Sequence, residues 1–466
     1  MNSTQTMSPI ALLIERLRNL HKNAVFRRSV LLAFLLYLSP VMGMILELAL
    51  IRVFSAGAVL DSFRALMTFM LMGQGVITAQ LLKYAVIPRL AEFRAQNKDR
   101  EGLIFTLYFT GIVLFILSPV FWLGMFWPEV LLIKLAPGFS DELVHQSAGL
   151  VRVTTIGFML TTVLGSMTAV LNFYGNFWGQ PLSQLILNVT LLVAVLVFGN
   201  HLSQPEQLSL LEISVGIGLV MMFALMASQC IKVWISTAQN TVKLDLMQAL
   251  ALSFVTLIPQ LFIITSEIIK PLSVNRALSE VGVGSIVLYL FAFKLLMIGN
   301  LPIKAIVTVL FPDYSRMNGN VESALLQKKL VNGTLKIFAL TSVASLVLWF
   351  IAPYIVSMLS LFANMTNEAV SKVTGVYRIL LFFAPFASLG LFYVELAFAF
   401  NEKPLMIIYS ITNTALIVIL LPWFIHWDIE GVAMVYSMVQ GSCMLALGAA
   451  LYLQIQKRSK ISSPDI

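Results

Sequence analysis

Basic side chains interrupt several stretches of this chain that are otherwise apolar. Lys294 lies inside one such stretch, Arg64 lies at the start of another, and Arg152 and Arg378 lie just inside the ends of two more. An unpaired charge in hydrocarbon is costly, so cations at these positions are expected to face a hydrated interior. Because lysine and arginine bind phosphate oxygens well, the four side chains predict a positively charged site for an anionic ligand.

Each of these cations also has a structural interpretation, which the sequence leaves open. Lys294 is also the kind of residue that forms an ion pair inside a helix bundle. Arg152 and Arg378 have side chains long enough to reach the membrane interface. Arg64 follows Asp61 by three residues, and this spacing favours a local ion pair between them.

The acidic residues Glu47, Glu267 and Glu395 lie within or beside apolar stretches as well. Protonation of such a group, or capture of a sodium ion, would bias a two-state protein, because a ligand shifts an equilibrium only through its differential affinity. Glu47 has a second interpretation, which we favour, as the partner that neutralises Lys294 or Arg64.

The sequence carries no signature of covalent chemistry. The four histidines lack metal-ligand spacing, and neither a Gly-rich nucleotide loop nor an HExxH string occurs. Cys230 and Cys443 lie inside apolar stretches and predict no disulfide. We therefore expect a protein that is not an enzyme and that binds no metal or organic cofactor. Its only cofactor-like requirement would be a coupling cation, sodium or a proton, or the membrane potential.

The composition indicates that membrane-spanning helices hold these residues. The chain of 466 residues is 59% hydrophobic and 11% charged, which is outside the range of a soluble domain. Apolar stretches of about 20 residues are long enough to cross the hydrocarbon layer as helices. Twelve spans are predicted, which start near Ser29, Phe63, Leu103, Ala148, Pro181, Leu210, Met247, Ser285, Leu330, Gly375, Pro404 and Gly431.

The two halves of the chain repeat each other at a distance of about 220 residues. The string GLVRV at 149–153 recurs as GVYRI at 375–379, and Pro88 corresponds to Pro312, Asn176 to Asn401, Pro181 to Pro404 and Glu212 to Glu430. Duplicated halves are common in secondary transporters, in which two bundles rock around a shared site. The pattern predicts an all-α polytopic membrane protein with twelve transmembrane helices in two parallel-repeat, six-helix lobes around a central cavity.

The distribution of charge predicts that both termini are cytoplasmic. Basic residues concentrate on the side that holds the N-terminus, and the net charge of +8 follows from this topology rather than from a nucleic-acid partner. The opposite side holds Arg52, Lys134, Lys270, Arg276 and Lys372. The predicted organisation is a cytoplasmic amphipathic segment (1–28), an N-lobe of helices one to six (29–240), a C-lobe of helices seven to twelve (241–455) and a cytoplasmic tail (456–466). Alternatively, 1–28 is a partly ordered tail whose charges only fix the orientation of the protein in the membrane.

Five short strings resemble landmarks of a known family. They are RVFSAGAVLDSF at 52–63, VIPRLAEF at 86–93, KLAPGF at 134–139, VLNFYGNF at 170–177 and LFPDYSR at 310–316. In this order and at these distances, they make the chain resemble the MurJ/MviN family of lipid II flippases. That family belongs to the superfamily of multidrug, oligosaccharidyl-lipid and polysaccharide exporters. The resemblance extends from Ser29 to about Leu453.

The resemblance implies a transport fold with a cation-lined central cavity, and this chain departs from it in two ways. Characterised members have fourteen helices, whose last pair forms a groove for the polyprenyl tail, whereas twelve are predicted here. Members also line the cavity with arginines. In register with the string at 52–63, those positions fall on Pro40, Leu46 and Gln74, and Lys294 alone keeps a cation.

The resemblance also indicates further candidate residues. Gln74 lies between two glycines where relatives carry arginine; it could hydrogen-bond a sugar, although plain helix packing is the favoured interpretation. Some relatives bind sodium among helices seven, eleven and twelve, which points to Glu267, Thr412 and Asn413 in this chain.

These observations predict a flippase that carries an undecaprenyl-diphosphate-linked saccharide across the bacterial inner membrane by alternating access. The cargo is lipid II or a capsule, O-antigen or exopolysaccharide unit, and the missing arginines favour the second group. Predicted partners are this cargo, the bilayer and enzymes of polysaccharide or cell-wall assembly. Two alternatives remain open: a cation-coupled exporter of small amphipathic molecules, with a cavity rich in carboxylates, and a non-transporting membrane scaffold.

Overall fold

The computed structural model describes residues 24–73, 86–237, 246–300, 323–400 and 402–462. These residues are almost entirely helical, and no strand occurs among them. Eight apolar helical segments in this part of the chain are long enough to cross a membrane, and Ser285–Gly299 is a shorter apolar helix. The predicted all-α, multi-pass membrane fold is therefore confirmed, while the count of twelve spans stays a prediction.

The N-terminal half forms a set of helices that we call the N-lobe. They are α1 (Ala24–Phe54), α2 (Ala58–Met72), α3 (Ile87–Ala95), α4 (Asp99–Phe126), α5 (Pro128–Leu135), α6 (Asp141–Gln146), α7 (Ala148–Phe173), α8 (Gly179–Phe198) and α9 (Gln204–Ser236). Helix α7 packs against α2, α4 and α9, and α8 packs against α1 and α9. The connection between α1 and α2 is short and lies at Ser55 and Gly57, within the string at 52–63.

The C-terminal half forms the set that we call the C-lobe. It comprises α10 (Leu246–Val281), α11 (Ser285–Gly299), α12 (Ser323–Ala363), α13 (Asn367–Ala399), α14 (Lys403–Phe424) and α15 (Asp428–Ser462). Helix α13 packs against α11, α12 and α15, and α14 packs against α10 and α15. The predicted lobe boundary at 240–241 lies outside the described residues.

Matching contacts in the two lobes reflect the repeat in the sequence. In the N-lobe the Arg152 Nε donates a hydrogen bond to the Met125 carbonyl at 3.4 Å, and in the C-lobe the Arg378 Nε donates to the Trp349 carbonyl at 3.4 Å. The Glu212 carboxylate similarly lies against Gly149, and the Glu430 carboxylate lies against its counterpart Gly375. In these pairs, a Cβ on Gly149 would lie 2.2 Å, and one on Gly375 1.9 Å, from a carboxylate oxygen, so a larger residue at either position would displace the glutamate side chain.

Helices of the two lobes contact each other at several places. Helix α1 packs against α11 and α12, α2 packs against α10 and α11, and α10 also packs against α4 and α5. One close contact occurs where the turn between α1 and α2 meets the turn between α10 and α11. Gly284 there has a positive φ of 86°, and a Cβ on it would lie 2.6 Å from the Ala56 carbonyl oxygen. Both the backbone conformation and the close approach require glycine.

Candidate functional site: a cavity between the lobes

A cavity of about 300 Å³ lies between the N-lobe helices α1, α2 and α8 and the C-lobe helix α11. Its lining residues are Ser39, Pro40, Gly43, Leu46, Arg64, Met67, Thr68, Leu71, Gln184, Leu187, Asn188, Leu290, Lys294, Met297 and Ile298. On α2 the lining positions are separated by three and four residues, as are those on α8, so each helix presents one continuous stripe to the cavity. The cavity is therefore a feature of four helix faces rather than of loops.

Lys294 and Arg64 bring positive charge to the cavity wall from different lobes. Both contact the carboxylate of Glu47, and the Arg64 Nη2 lies 2.5 Å from the Glu47 Oε2. Glu47 is completely buried and does not line the cavity, whereas the Lys294 side chain is 33% exposed. Two cations thus stand between one carboxylate and the cavity, and they leave a net positive charge on its wall.

Apart from the Arg64 Nη2, which contacts the Glu47 carboxylate, two buried polar atoms of this ion cluster lack hydrogen-bond partners in the described part of the chain. They are the Oε1 of Glu47 and the Nε of Arg64. Burying an unsatisfied polar atom costs about 1–3 kcal/mol. Because Arg64 lines the cavity, an anion bound there could accept a hydrogen bond from its guanidinium.

The predicted pairing of Arg64 with Asp61 is wrong. Arg64 contacts Glu47 instead, and the Asp61 carboxylate accepts hydrogen bonds from the backbone N–H of Gly284 at 2.5 Å and of Val287 at 2.9 Å. These amides lie at the N-terminus of α11, where the helix has unpaired N–H groups and a partial positive charge. Asp61 therefore caps a helix of the opposite lobe.

Further contacts close the same end of the lobes. The Gly138 N–H donates to the Ser279 Oγ at 3.3 Å, and a Cβ on Gly138 would lie 1.9 Å from the Ser279 carbonyl oxygen. We call this contact region, formed by Ala56, Asp61, Gly138, Ser279 and Gly284, the clasp. The predicted topology puts the clasp on the outer side of the membrane.

The structure positions Arg152 and Arg378 away from this cavity, because neither belongs to its lining. The guanidinium of Arg378 lies 4.7 Å from the centre of the Trp349 ring, in addition to its bond to the Trp349 carbonyl. The helical donor for that carbonyl would be residue 353, which is proline and has no N–H. The two arginines thus donate to equivalent carbonyls, one beside the proline inside α12 and one at the end of α4.

A second polar cluster lies inside the C-lobe and contains two of the predicted ion-coupling residues. Glu267 pairs with Lys270 at 2.5 Å within α10, and the buried Asn413 donates to the Tyr409 hydroxyl at 3.1 Å and to the Gln440 Oε1 at 3.2 Å. Lys270 was predicted on the outer side of the membrane in a connecting segment, but its side chain is buried in the bundle. The cluster contains its own cation.

Thr412 and Glu395, two further predicted ion-coupling residues, occupy different surroundings. Thr412 is exposed on the outer face of α14, and the neighbouring Thr414 is the residue that contacts α10, by donating to the Ser266 carbonyl at 3.0 Å. Glu395 is half-buried in α13 and lines neither this cavity nor the ion cluster. Position 412 was therefore the wrong threonine for a site that involves α10.

Sequence reasoning missed the amides of the cavity. Gln184 and Asn188 on α8 line it, and the Asn188 Nδ2 donates to the Ser39 carbonyl at 3.4 Å. Two amides four residues apart in an apolar span share a helix face, and this spacing could have identified them. The predicted site residue Gln74 lies outside the described residues.

Together, the fold and this site define a multi-pass, all-α membrane transporter in which paired helical lobes enclose a cation-lined cavity. The model of the family described as lipid II flippase MurJ matches residues 50–465, and the chain belongs to this family. Members of the family are transporters rather than enzymes.

Individual relatives are distant. The chain is 23% identical over 195 residues to the probable lipid II flippase MurJ of Rickettsia prowazekii (strain Madrid E), a match that covers 41% of this chain and 38% of that relative. The matched part is thus about two fifths of the relative's length.

Solved structures share the fold. A lipid II flippase MurJ in an inward closed conformation superposes with a TM-score of 0.69 at 18% identity and covers 93% of this chain and 91% of its own. An inward-facing multidrug resistance transporter of the MATE family superposes with a TM-score of 0.67 at 13% identity, with coverage of 90% and 96%.

Proposed function

We propose that this protein is a flippase that moves an undecaprenyl-diphosphate-linked saccharide across the bacterial inner membrane, with both termini in the cytoplasm. The observation that carries the proposal is the pair of cations, Lys294 and Arg64, on the wall of a cavity between the lobes. Membership of the lipid II flippase MurJ family supports the same class of cargo. The two cations would hold the diphosphate while the lipid tail stays in the bilayer.

The ion cluster suggests how cargo binding is coupled to movement. Lys294 belongs to the C-lobe and Glu47 to the N-lobe, so their ion pair links the lobes at the cavity. A diphosphate that binds Lys294 competes with Glu47 for the same ammonium group and weakens this link. Cargo then has a higher affinity for the state in which the lobes have separated, which is what a ligand needs in order to shift the equilibrium.

An exporter of cationic amphipathic molecules is the second candidate, because the MATE fold is shared. That function requires carboxylates in the cavity to attract a cation. The described lining contains Lys294 and Arg64 but no carboxylate, because Glu47 lies behind the cations. The charge of the wall therefore favours an anionic cargo.

Reconstitution into liposomes with a fluorescent undecaprenyl-diphosphate saccharide tests the proposal. We expect Lys294→Ala and Arg64→Ala each to slow flipping at least about ten-fold, since a hydrogen bond to a charged group contributes about 1.5–3 kcal/mol. Lys336→Ala is the matched control, because this lysine is exposed on α12. Flipping that is unchanged in Lys294→Ala and Arg64→Ala would contradict the proposal.

The identity of the saccharide is a separate question. The positions that carry arginine in relatives, Pro40 and Leu46, do line the cavity, and both are apolar here. A cargo other than lipid II is therefore our preferred version. Expression in a strain depleted of its lipid II flippase should then fail to restore growth, and full rescue would identify lipid II as the cargo.

The driving force also belongs to the proposal. Glu267 and Asn413 are the candidate ion-coupling residues in the C-lobe, with sodium, a proton or the membrane potential as the source of energy. Flipping in liposomes with an imposed sodium gradient, proton gradient or potential, each applied alone, distinguishes the three. Rates that respond to none of them would exclude coupling.

A further inference from the structure

A second cavity, of about 250 Å³, lies within the C-lobe next to the first. It is bordered by α11, α13 and α15, and its lining residues are Phe293, Leu296, Met297, Asn300, Leu380, Phe383, Ala387, Leu391, Tyr436, Ser437 and Gln440. Met297 lines both cavities. The two spaces therefore adjoin along one edge of α11.

The helical repeat of α11 explains why the cavities differ in character. Lys294 and Ile298 lie on the face toward the first cavity, whereas Phe293, Leu296 and Asn300 lie on the neighbouring face toward the second. The rise from Lys294 to Met297 is about 4.5 Å along the helix. A group that is covalently attached to an anion at Lys294 can therefore reach the second cavity.

Neutral polar groups and aromatic rings both line the second cavity. Asn300, Ser437 and Gln440 supply amide and hydroxyl groups, and none of the described lining residues is charged. The Phe293 ring meets the Tyr436 ring edge-on at 6.1 Å between centroids. A pocket with apolar walls and a few oriented hydrogen-bonding groups suits a neutral, hydroxyl-rich ligand better than an ion or a purely apolar chain.

A hydrogen bond from a residue outside the lining fixes one of the polar side chains of the second cavity. Asn413, which is completely buried, donates a hydrogen bond to the Gln440 Oε1 at 3.2 Å. This contact occupies the oxygen of the Gln440 amide and leaves its two Nε2 donors for the cavity. Donors fixed in this way recognise hydroxyl, ring and acetamido oxygens.

We propose that the C-lobe cavity is a subsite for an uncharged sugar of the cargo, next to the diphosphate site at Lys294 and Arg64. This inference rests on the proposed function and adds to it that the sugar and the diphosphate bind at separate sites. The sugar would be held by one lobe alone and would travel with it, while the diphosphate lies at the interface where the lobes separate.

Two probes that differ by one sugar test the subsite: undecaprenyl diphosphate, and undecaprenyl diphosphate that carries a single N-acetylhexosamine. We expect the purified protein in nanodiscs to bind the glycosylated probe about ten-fold more tightly, as two hydrogen bonds of ordinary strength would provide. Gln440→Leu should remove most of this preference and leave the Kd for the bare diphosphate unchanged. Phe293→Leu and Ser437→Ala should each also reduce the preference for the glycosylated probe.

The control is Gln229→Leu, which removes a buried amide of the N-lobe far from both cavities. Should Gln440→Leu fail to fold, Ser437→Ala and Phe293→Leu carry the test, with the thermal midpoint as the measure of folding. Absence of a preference in the unmodified protein would overturn the subsite. The same holds for a preference that survives these variants, or for equal losses with both probes.

The proposed function has its own readout in the same experiment, since Lys294→Ala should weaken binding of both probes equally. If Lys294→Ala weakens neither probe, the diphosphate site fails, while the sugar preference is still measured independently. Tighter binding of both probes to Gln440→Leu would identify the cavity as a lipid-chain pocket and overturn the inference.

Discussion

Glu47 is the residue on which the charge balance of the cavity depends. Its carboxylate is completely buried and is shared by a cation from each lobe, Arg64 and Lys294. Without it, two positive charges would lie close together in a low-dielectric interior, where their repulsion is poorly screened. The residue therefore stabilises the empty protein and at the same time keeps both cations available to the cavity.

Replacement of Glu47 by Gln should separate these two effects. The change keeps the shape of the side chain but leaves two unneutralised cations, so we expect the free energy of unfolding to fall by about 3 kcal/mol. Denaturant titration of the purified protein measures the loss. The triple variant Glu47→Leu, Arg64→Leu, Lys294→Met should regain most of the stability without regaining transport, because a buried ion cluster is replaceable by apolar packing. An equally unstable triple variant would contradict this account.

At the scale of the helix, the two arginines of the repeat donate hydrogen bonds to backbone carbonyls of neighbouring helices that lack their usual helical donors. Helix α12 continues through Pro353, which leaves the Trp349 carbonyl without its intrahelical donor. Arg378 on α13 supplies that donor from the side and covers the Trp349 ring. Helix α4 ends at Phe126, and Arg152 on α7 supplies the equivalent bond to Met125.

A double-mutant cycle between Arg378 and Pro353 tests this role. Arg378→Leu should destabilise the protein by about 1 kcal/mol, since a partly buried carbonyl loses its hydrogen bond. In a Pro353→Ala background the residue 353 N–H can bond to the Trp349 carbonyl, so the same substitution should cost less. Thermal unfolding of the four proteins gives the coupling energy. Costs that simply add would show that Arg378 stabilises something else.

The sequence predicts these helices well, because each is defined by local hydrophobicity and by the spacing of its own residues. The register taken from the string at 52–63 also placed Pro40 and Leu46 correctly on the cavity wall. The sequence did not predict correctly which residues Arg64 and Asp61 contact. Arg64 follows Asp61 by three residues, yet its partner Glu47 belongs to another helix, and Asp61 binds amides more than 200 residues away. Local spacing cannot predict contacts that only the approach of the two lobes creates.

At the scale of the whole molecule, two of the contacts between the lobes respond differently to cargo. The clasp involves backbone amides and glycine contacts at one end, and the ion pair between Lys294 and Glu47 lies at the cavity wall. Anionic cargo competes only for the ion pair. Movement to the opposite state must also release the clasp, so the stability of the clasp sets how often an empty carrier opens at that end.

Loss of the Asp61 carboxylate should therefore open the clasp end without cargo. Asp61→Ala removes two hydrogen bonds and a favourable charge at the N-terminus of α11, a loss of about 1 kcal/mol for a helix cap, which corresponds to a population shift of about five-fold. The shift is measured with Thr68→Cys, a cavity-lining position, in a background in which Cys230 and Cys443 are alanine. A membrane-impermeant maleimide added from the predicted outer side should label Thr68→Cys about five-fold faster when Asp61→Ala is present. Asp141→Ala, an exposed acidic residue in α6, should leave the rate unchanged. If Asp61→Ala does not change outer-side labelling, or raises it only from the opposite side, the clasp does not hold the lobes together at that end.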